Sequence, residues 1–206
     1  MNKTLRHADR HARTRLARCA ALVSMLCVSG TIGCSATGEL NRSQASALIG
    51  SSQQFKTPAF EQVFLGADYR SVDFIGAGNW VVVDALLSSG YLEKQGGEIN
   101  LTAKGEAACK DSPRDPEREN ARSFPVAHRE FVEVSGITDA AIAGPGVKEV
   151  RFTWRWSPTA LGKELLPSIP KLASTYSGEQ SREGTALFRL YDDGWRLEEV
   201  QFGDLM

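Results

Sequence analysis

In residues 147–157, VKEVRFTWRWS, side chains alternate from Glu149 onward: Val150, Phe152, Trp154 and Trp156 fall on one side, and Glu149, Arg151, Thr153 and Arg155 on the other. Successive side chains of a strand point to opposite faces, so this period of two predicts a strand with one apolar and one polar face. A face that carries Phe152 and two tryptophans must be covered, and an isolated hairpin cannot do that. HREFVEVSGI at 128–137 supplies a neighbouring strand. GTALFRLYDDGWRLEEVQF at 184–202 reads as a hairpin in which Asp193-Gly194 meets the positive φ of a tight turn. The expectation for 126–206 is a four-stranded antiparallel β-meander with a short helical insertion at 160–166, followed by a mobile loop. Trp154, Trp156 and Trp195 are the candidate binding residues, because aromatic side chains supply large contact areas at partner surfaces. The apolar register of Trp154 and Trp156 fits core packing as well.

Upstream the period becomes helical. In NRSQASALIGSS, 41–52, a polar cap precedes Ala45, Leu48 and Ile49 at helical spacing. PAFEQVFL, 58–65, begins with a proline, whose missing N–H is harmless in a first helical turn, and reads as a second helix. Asn79 caps WVVVDALLSS and Gly90 stops it. A small hairpin about Gln95-Gly96-Gly97 follows, and then a renewed helix through GEAAC. The stretch LLSSGYLE…INLTAKGE resembles winged-helix domains, in which a helix ending in glycine leads into the wing. That resemblance implies a helical, winged-helix-like subdomain over 41–109. Residues 110–125, KDSPRDPERENARSFP, are charged, hold three prolines and read as a linker to the antiparallel β subdomain. The fold class expected is α+β.

Charge narrows the function. Residues 1–33 hold Lys3, Arg6, Arg10, Arg13, Arg15 and Arg18 against Asp9 alone, which leaves 18 basic and 24 acidic residues in the remainder, a net of −6. A winged helix that binds DNA places positive charge on its recognition helix and wing, because phosphate neutralisation supplies most of the affinity. NWVVVDALLSS carries one aspartate and neither lysine nor arginine. Nucleic acid is therefore not an expected partner.

The basic residues precede Cys19–Gly33, CAALVSMLCVSGTIG, which has no charge and is shorter than the roughly 20 residues of a membrane-crossing helix. A basic region, an apolar region and then small residues is the order of parts in an export signal. The run Thr31, Ile32, Gly33, Cys34 resembles the lipobox of bacterial prolipoproteins, with Thr31 standing where leucine is usual. In that family a diacylglycerol is joined to the cysteine thiol and the signal is cut just before it. The resemblance implies a signal peptide at 1–33, cleavage between Gly33 and Cys34, lipidation at Cys34 and a tether at 34–40. Ser35 stands where the family uses aspartate to retain proteins in the inner membrane. The implied place is the cell envelope, on the periplasmic face of the outer membrane.

After such processing Cys19 and Cys27 are gone, Cys34 is acylated and Cys109 is the free thiol, so no internal disulfide forms. His7 and His11 belong to the signal, which leaves His128. One histidine and one thiol make no metal-ligand spacing, no G-x-S-x-G elbow is present, and no catalytic, metal or cofactor residue is assigned. Glu198 and Glu199 are neighbours on a strand and face opposite ways, so they form no carboxylate dyad. The reading is a membrane-anchored envelope lipoprotein, non-enzymatic, that binds a protein or another envelope component. Two alternatives stand beside it: a small-ligand carrier using the tryptophan-bearing sheet face, and a hydrolase acting through His128 and carboxylates.

Overall fold

In the structure, a computed structural model, residues 38–66, 79–140 and 143–203 are described. The expected signal segment with Gly33, the lipidation position Cys34 and the tether as far as residue 37 lie outside the described residues.

The fold is α+β, built on an antiparallel sheet of five strands, one more than the expected meander. The strands are β1 (Ala59–Phe64), β4 (Ala121–Asp139), β5 (Val147–Pro158), β6 (Arg182–Tyr191) and β7 (Gly194–Phe202), in the order β1-β4-β5-β6-β7. A second sheet is the hairpin of β2 (Leu92–Gln95) and β3 (Glu98–Leu101). The extra strand β1 is the segment whose sequence predicts a second helix. Phe60, Val63 and Phe64 suit either period, and aromatic and β-branched residues follow their tertiary partner. That partner is the first part of β4, which pairs with β1 from Ala59↔Ala127 to Phe64↔Ala121. Strand β4 starts within the expected linker and runs for 19 residues. Its pairing with β5 shifts register between Phe131 and Glu133 and again between Val134 and Gly136, irregularities that bend a strand.

The helices are α1 (Arg42–Gly50), α2 (Gln53–Lys56), α3 (Asn79–Ser88), α4 (Ala103–Cys109), α5 (Ala160–Leu165) and α6 (Pro170–Tyr176), with a 3-10 turn at Leu166–Ser168. Sequence reasoning anticipates α5; α6 replaces the expected loop. Local signals start and stop several of them. The Asn41 side chain accepts from the Gln44 N–H at 2.9 Å, and Thr159 accepts from the Gly162 N–H at 2.9 Å. Helix α3 ends where the Gly90 and Tyr91 N–H groups donate to the Leu87 and Leu86 carbonyls, with Gly90 at φ 73°, the left-handed stop that glycine adopts without strain.

The winged-helix arrangement is not what these helices form. A winged helix needs its helices packed on one another, whereas α1 and α2 bury Ala45, Ile49 and Phe55 in one core while α3 buries Val82, Val83, Ala85 and Leu86 in a second. The first core lies under β4, β5 and β6 and is aromatic. The second is aliphatic and gathers β1, α3, α5 and the β2–β3 hairpin around Phe124. Strand β4 belongs to both, because Phe124 and Ala127 are an odd number of residues apart and point to opposite faces.

Candidate functional site

The aromatic face is set by register. Arg129 on β4 lies opposite Trp156 on β5, Phe131 lies opposite Trp154, and Trp154 in turn lies opposite Arg182 on β6. Directly paired residues share a face, so both arginines stand in the row that holds the two tryptophans. Phe152 completes the row beside Gly184, where an added Cβ would come within 2.4 Å of the Phe152 ring, so only glycine lets that ring lie over the backbone.

The rings meet edge to face. Trp154 and Trp156 have centroids 5.2 Å apart, Trp154 and Phe202 4.9 Å, and Trp156 and Tyr176 of α6 5.0 Å. Such geometry aligns ring edges with ring faces and adds stability beyond burial. Trp154 and Trp156 keep 2% and 8% of their surface, so they fill the face rather than line an open pocket, and the alternation in their strand is that of a core. The guanidinium of Arg129 lies over this cluster, 4.2 Å from the Phe202 centroid and 4.7 Å from that of Trp156. Arg182 lies 5.4 Å from the Trp154 ring. Both are cation–π contacts of a kind strengthened by partial desolvation.

The polar bookkeeping at this place does not close. Arg129 Nη1 donates to the Gln54 carbonyl at 3.2 Å, Arg182 Nη2 to the Thr175 carbonyl at 3.0 Å, and Trp154 Nε1 to the Glu183 carbonyl at 3.2 Å. Arg129 Nε, Arg182 Nε and Trp156 Nε1 are buried and have no hydrogen-bond acceptor among the described residues. Neither guanidinium has a carboxylate within ion-pair distance among them. Burial lowers the Arg129 pKa, the Tyr176 phenol opposes it, and the charge of Arg182 adds a smaller lowering. Burial raises the Tyr176 pKa, as does Glu61 of β1, and the two arginines oppose them. Glu61 is itself raised by burial, with Lys171 opposing. The site is thus a pair of half-buried cations on an aromatic floor, an arrangement suited to an anionic group.

The other sequence candidates lie elsewhere. Trp195 sits at the opposite end of the sheet, where its Nε1 donates to the Gly38 carbonyl at 2.9 Å. His128 is exposed on the outer face, opposite Ser157 in the ladder, and Glu130 nearby is held by two bonds of 2.9 Å from Arg155. Cys109 borders an open groove of about 520 Å³ lined also by Lys110, Arg114 and Arg122, and burial raises its thiol pKa. Asp193 is bonded by Arg196 at 2.6 Å, and Glu198 accepts from Tyr191 and Arg189. Among the described residues no three His, Cys, Asp or Glu side chains gather as a metal-binding group, and no helix is long and apolar enough to cross a membrane.

Sequence reasoning missed Arg129, Arg182, Tyr176 and Glu61. A signal for Arg129 was present: in HREFVEV it shares the inward register of Phe131, and a charged residue there needs a reason. No protein-family model matches the chain, nor does any curated protein or any solved structure.

Proposed function

We propose that this protein is a non-enzymatic lipoprotein of the cell envelope, anchored through an acylated Cys34 on the periplasmic face of the outer membrane, that binds an acidic segment of another envelope protein at Arg129 and Arg182. The anchor rests on the resemblance of Thr31-Ile32-Gly33-Cys34 to a lipobox behind a basic and an apolar segment. The observation that carries the binding reading is the pair of guanidiniums without a carboxylate partner among the described residues. An acidic partner would meet the part of these half-buried arginines that stays at the surface, and charge-assisted bonds to arginine are the stronger kind. The filled aromatic face favours this over a carrier that encloses a small ligand. The exposed His128, with Glu130 occupied by Arg155, gives a hydrolase little to work with.

The test has two readouts. The intact mass of the mature chain should begin at Cys34 and include acyl groups, and Cys34→Ala should be neither acylated nor cut after Gly33; an unacylated wild-type chain overturns the anchor. Titrating the mature protein in detergent with a short Asp- and Glu-rich peptide should change its tryptophan emission. Arg129→Gln and Arg182→Gln should abolish the change while retaining native circular dichroism, and Arg151→Gln on the outer face should preserve it. A peptide response indifferent to both inner arginines overturns the site.

A further inference from the structure

The tip of the β6–β7 hairpin lies at the end of the sheet where the described chain enters. Trp195 donates to the Gly38 carbonyl at 2.9 Å, and Leu40 is buried in the aromatic core at 5% exposure, so the chain is fixed to the sheet from Gly38 onward. Gly38 lies four residue steps beyond Cys34, and a chain of that length spans at most about 14 Å whatever its conformation. A lipidated cysteine therefore holds this end of the sheet close to the bilayer surface.

The tip is suited to that position. Leu190 and Tyr191, at 37% and 38%, are exposed large apolar side chains, as are Val81 and Val132 elsewhere among the described residues. Beside them runs the loop holding Gly144, Pro145 and Gly146, where the Leu190 N–H donates to the Gly146 carbonyl at 2.9 Å. Apart from Asp192, which is exposed in the turn and has no ion pair among the described residues, the nearby charges are matched in pairs. Arg196 bonds Asp193 at 2.6 Å, Arg189 bonds Glu198 at 3.3 Å, Tyr191 Oη donates to Glu198 at 2.5 Å, and Lys148 meets Asp139 at 2.7 Å. Paired charges cost less to bring against a headgroup layer than bare ones, and tyrosine and tryptophan settle at that interface because one end is apolar and the other polar.

We infer that the β6–β7 hairpin tip, with Leu190 and Tyr191 foremost, is the surface that rests on the lipid headgroups in the anchored protein. This rests on the lipid-anchor reading of Cys34, and the experiment separates the two. The full chain carrying Cys109→Ser and Leu190→Cys is expressed, its acylation is read by intact mass, and it is reconstituted into vesicles of phosphatidylethanolamine and phosphatidylglycerol. Failure of acylation or of co-flotation counts against the anchor alone. In acylated, vesicle-bound protein, an environment-sensitive fluorophore on Leu190→Cys should shift its emission to the blue and be quenched by headgroup-nitroxide lipids. The same fluorophore on Gln180→Cys, beyond the far end of β6, should do neither. A Leu190→Cys probe that behaves like the Gln180→Cys probe overturns the inference. So does one that shifts to the blue yet escapes the nitroxide, since a second protein chain would then cover the tip.

Discussion

The two cores handle charge differently. At the rim of the aliphatic core, Lys104 Nζ lies 2.7 Å from Glu164 and 3.9 Å from the Tyr91 ring centroid, and Tyr91 Oη donates to the same carboxylate at 2.6 Å. Cation, aromatic ring and acid are all present, and the network is closed. The aromatic core has its cations, Arg129 and Arg182, and its rings, but no acid in bonding distance among the described residues. A buried donor left without an acceptor costs about 1–3 kcal/mol, so the second arrangement is retained at a cost that the first avoids. The comparison separates a network completed within the chain from one that the described residues leave incomplete.

Truncating a tryptophan should break the aromatic core most severely. Trp154→Ala removes a side chain that is 2% exposed and is expected to cost about 3–5 kcal/mol, against no more than about 0.5 for Arg151→Ala on the outer face. Chemical denaturation of the two variants checks this, and a Trp154→Ala protein as stable as its parent would mean that the ring is there for binding.

A smaller effect asks whether the cores are independent. Gly162 of α5 packs so closely on β4 that an added Cβ would lie 1.9 Å from the Val126 carbonyl oxygen, so Gly162→Ala should destabilise by about 1–3 kcal/mol or more. Because β4 belongs to both cores, tryptophan fluorescence, measured with Trp80→Phe in place since Trp80 packs on the aliphatic core, and far-UV circular dichroism should shift to lower denaturant together. A fluorescence midpoint that stays in place would show the aromatic core unfolding by itself.

The smallest expected effect concerns pH. Burial raises the Glu61 pKa above its ordinary value of 4.5, so in the window between the two values the folded state holds more protons than the unfolded one. Stability from this group is therefore lost as pH rises through that window, and no penalty exists below it. Glu61→Gln should be slightly more stable than the parent at neutral pH, and the difference should vanish as the pH falls below the carboxylate range. Thermal melts across pH would detect this, and a difference that instead grew on acidification would show Glu61 to be stabilised as an anion.

How much of this was legible before the structure depends on whether the signal was local. The inward row from Val150 to Trp156 was legible because strand period alone decides it, and so were the Gly90 stop and the Gly96-Gly97 turn, with φ of 62° and 96°. Strand β1 was not, because six residues compatible with both periods are decided by a partner far along the chain. Trp195 could be recognised as a large ring but not as the clasp on Gly38, and Gly105 and Gly162 give no hint in sequence that backbone oxygens lie 2.0 and 1.9 Å from where a Cβ would stand. The arginine pair depended on register across three strands, which no single segment encodes.

The pairing of β1 with β4 also sets an order in time. Phe64 meets Ala121, 57 residues later, and Ala59 meets Ala127, 68 residues later. A chain that emerges from its amino end presents β1 long before its partner exists, and contacts so far apart in sequence are slow to close. Until then Phe60, Val63 and Phe64 offer an unpaired apolar strand, the kind of segment through which incomplete chains associate. The newly emerged protein is most vulnerable in this interval, and a holding chaperone would have most to gain by covering residues 59–64.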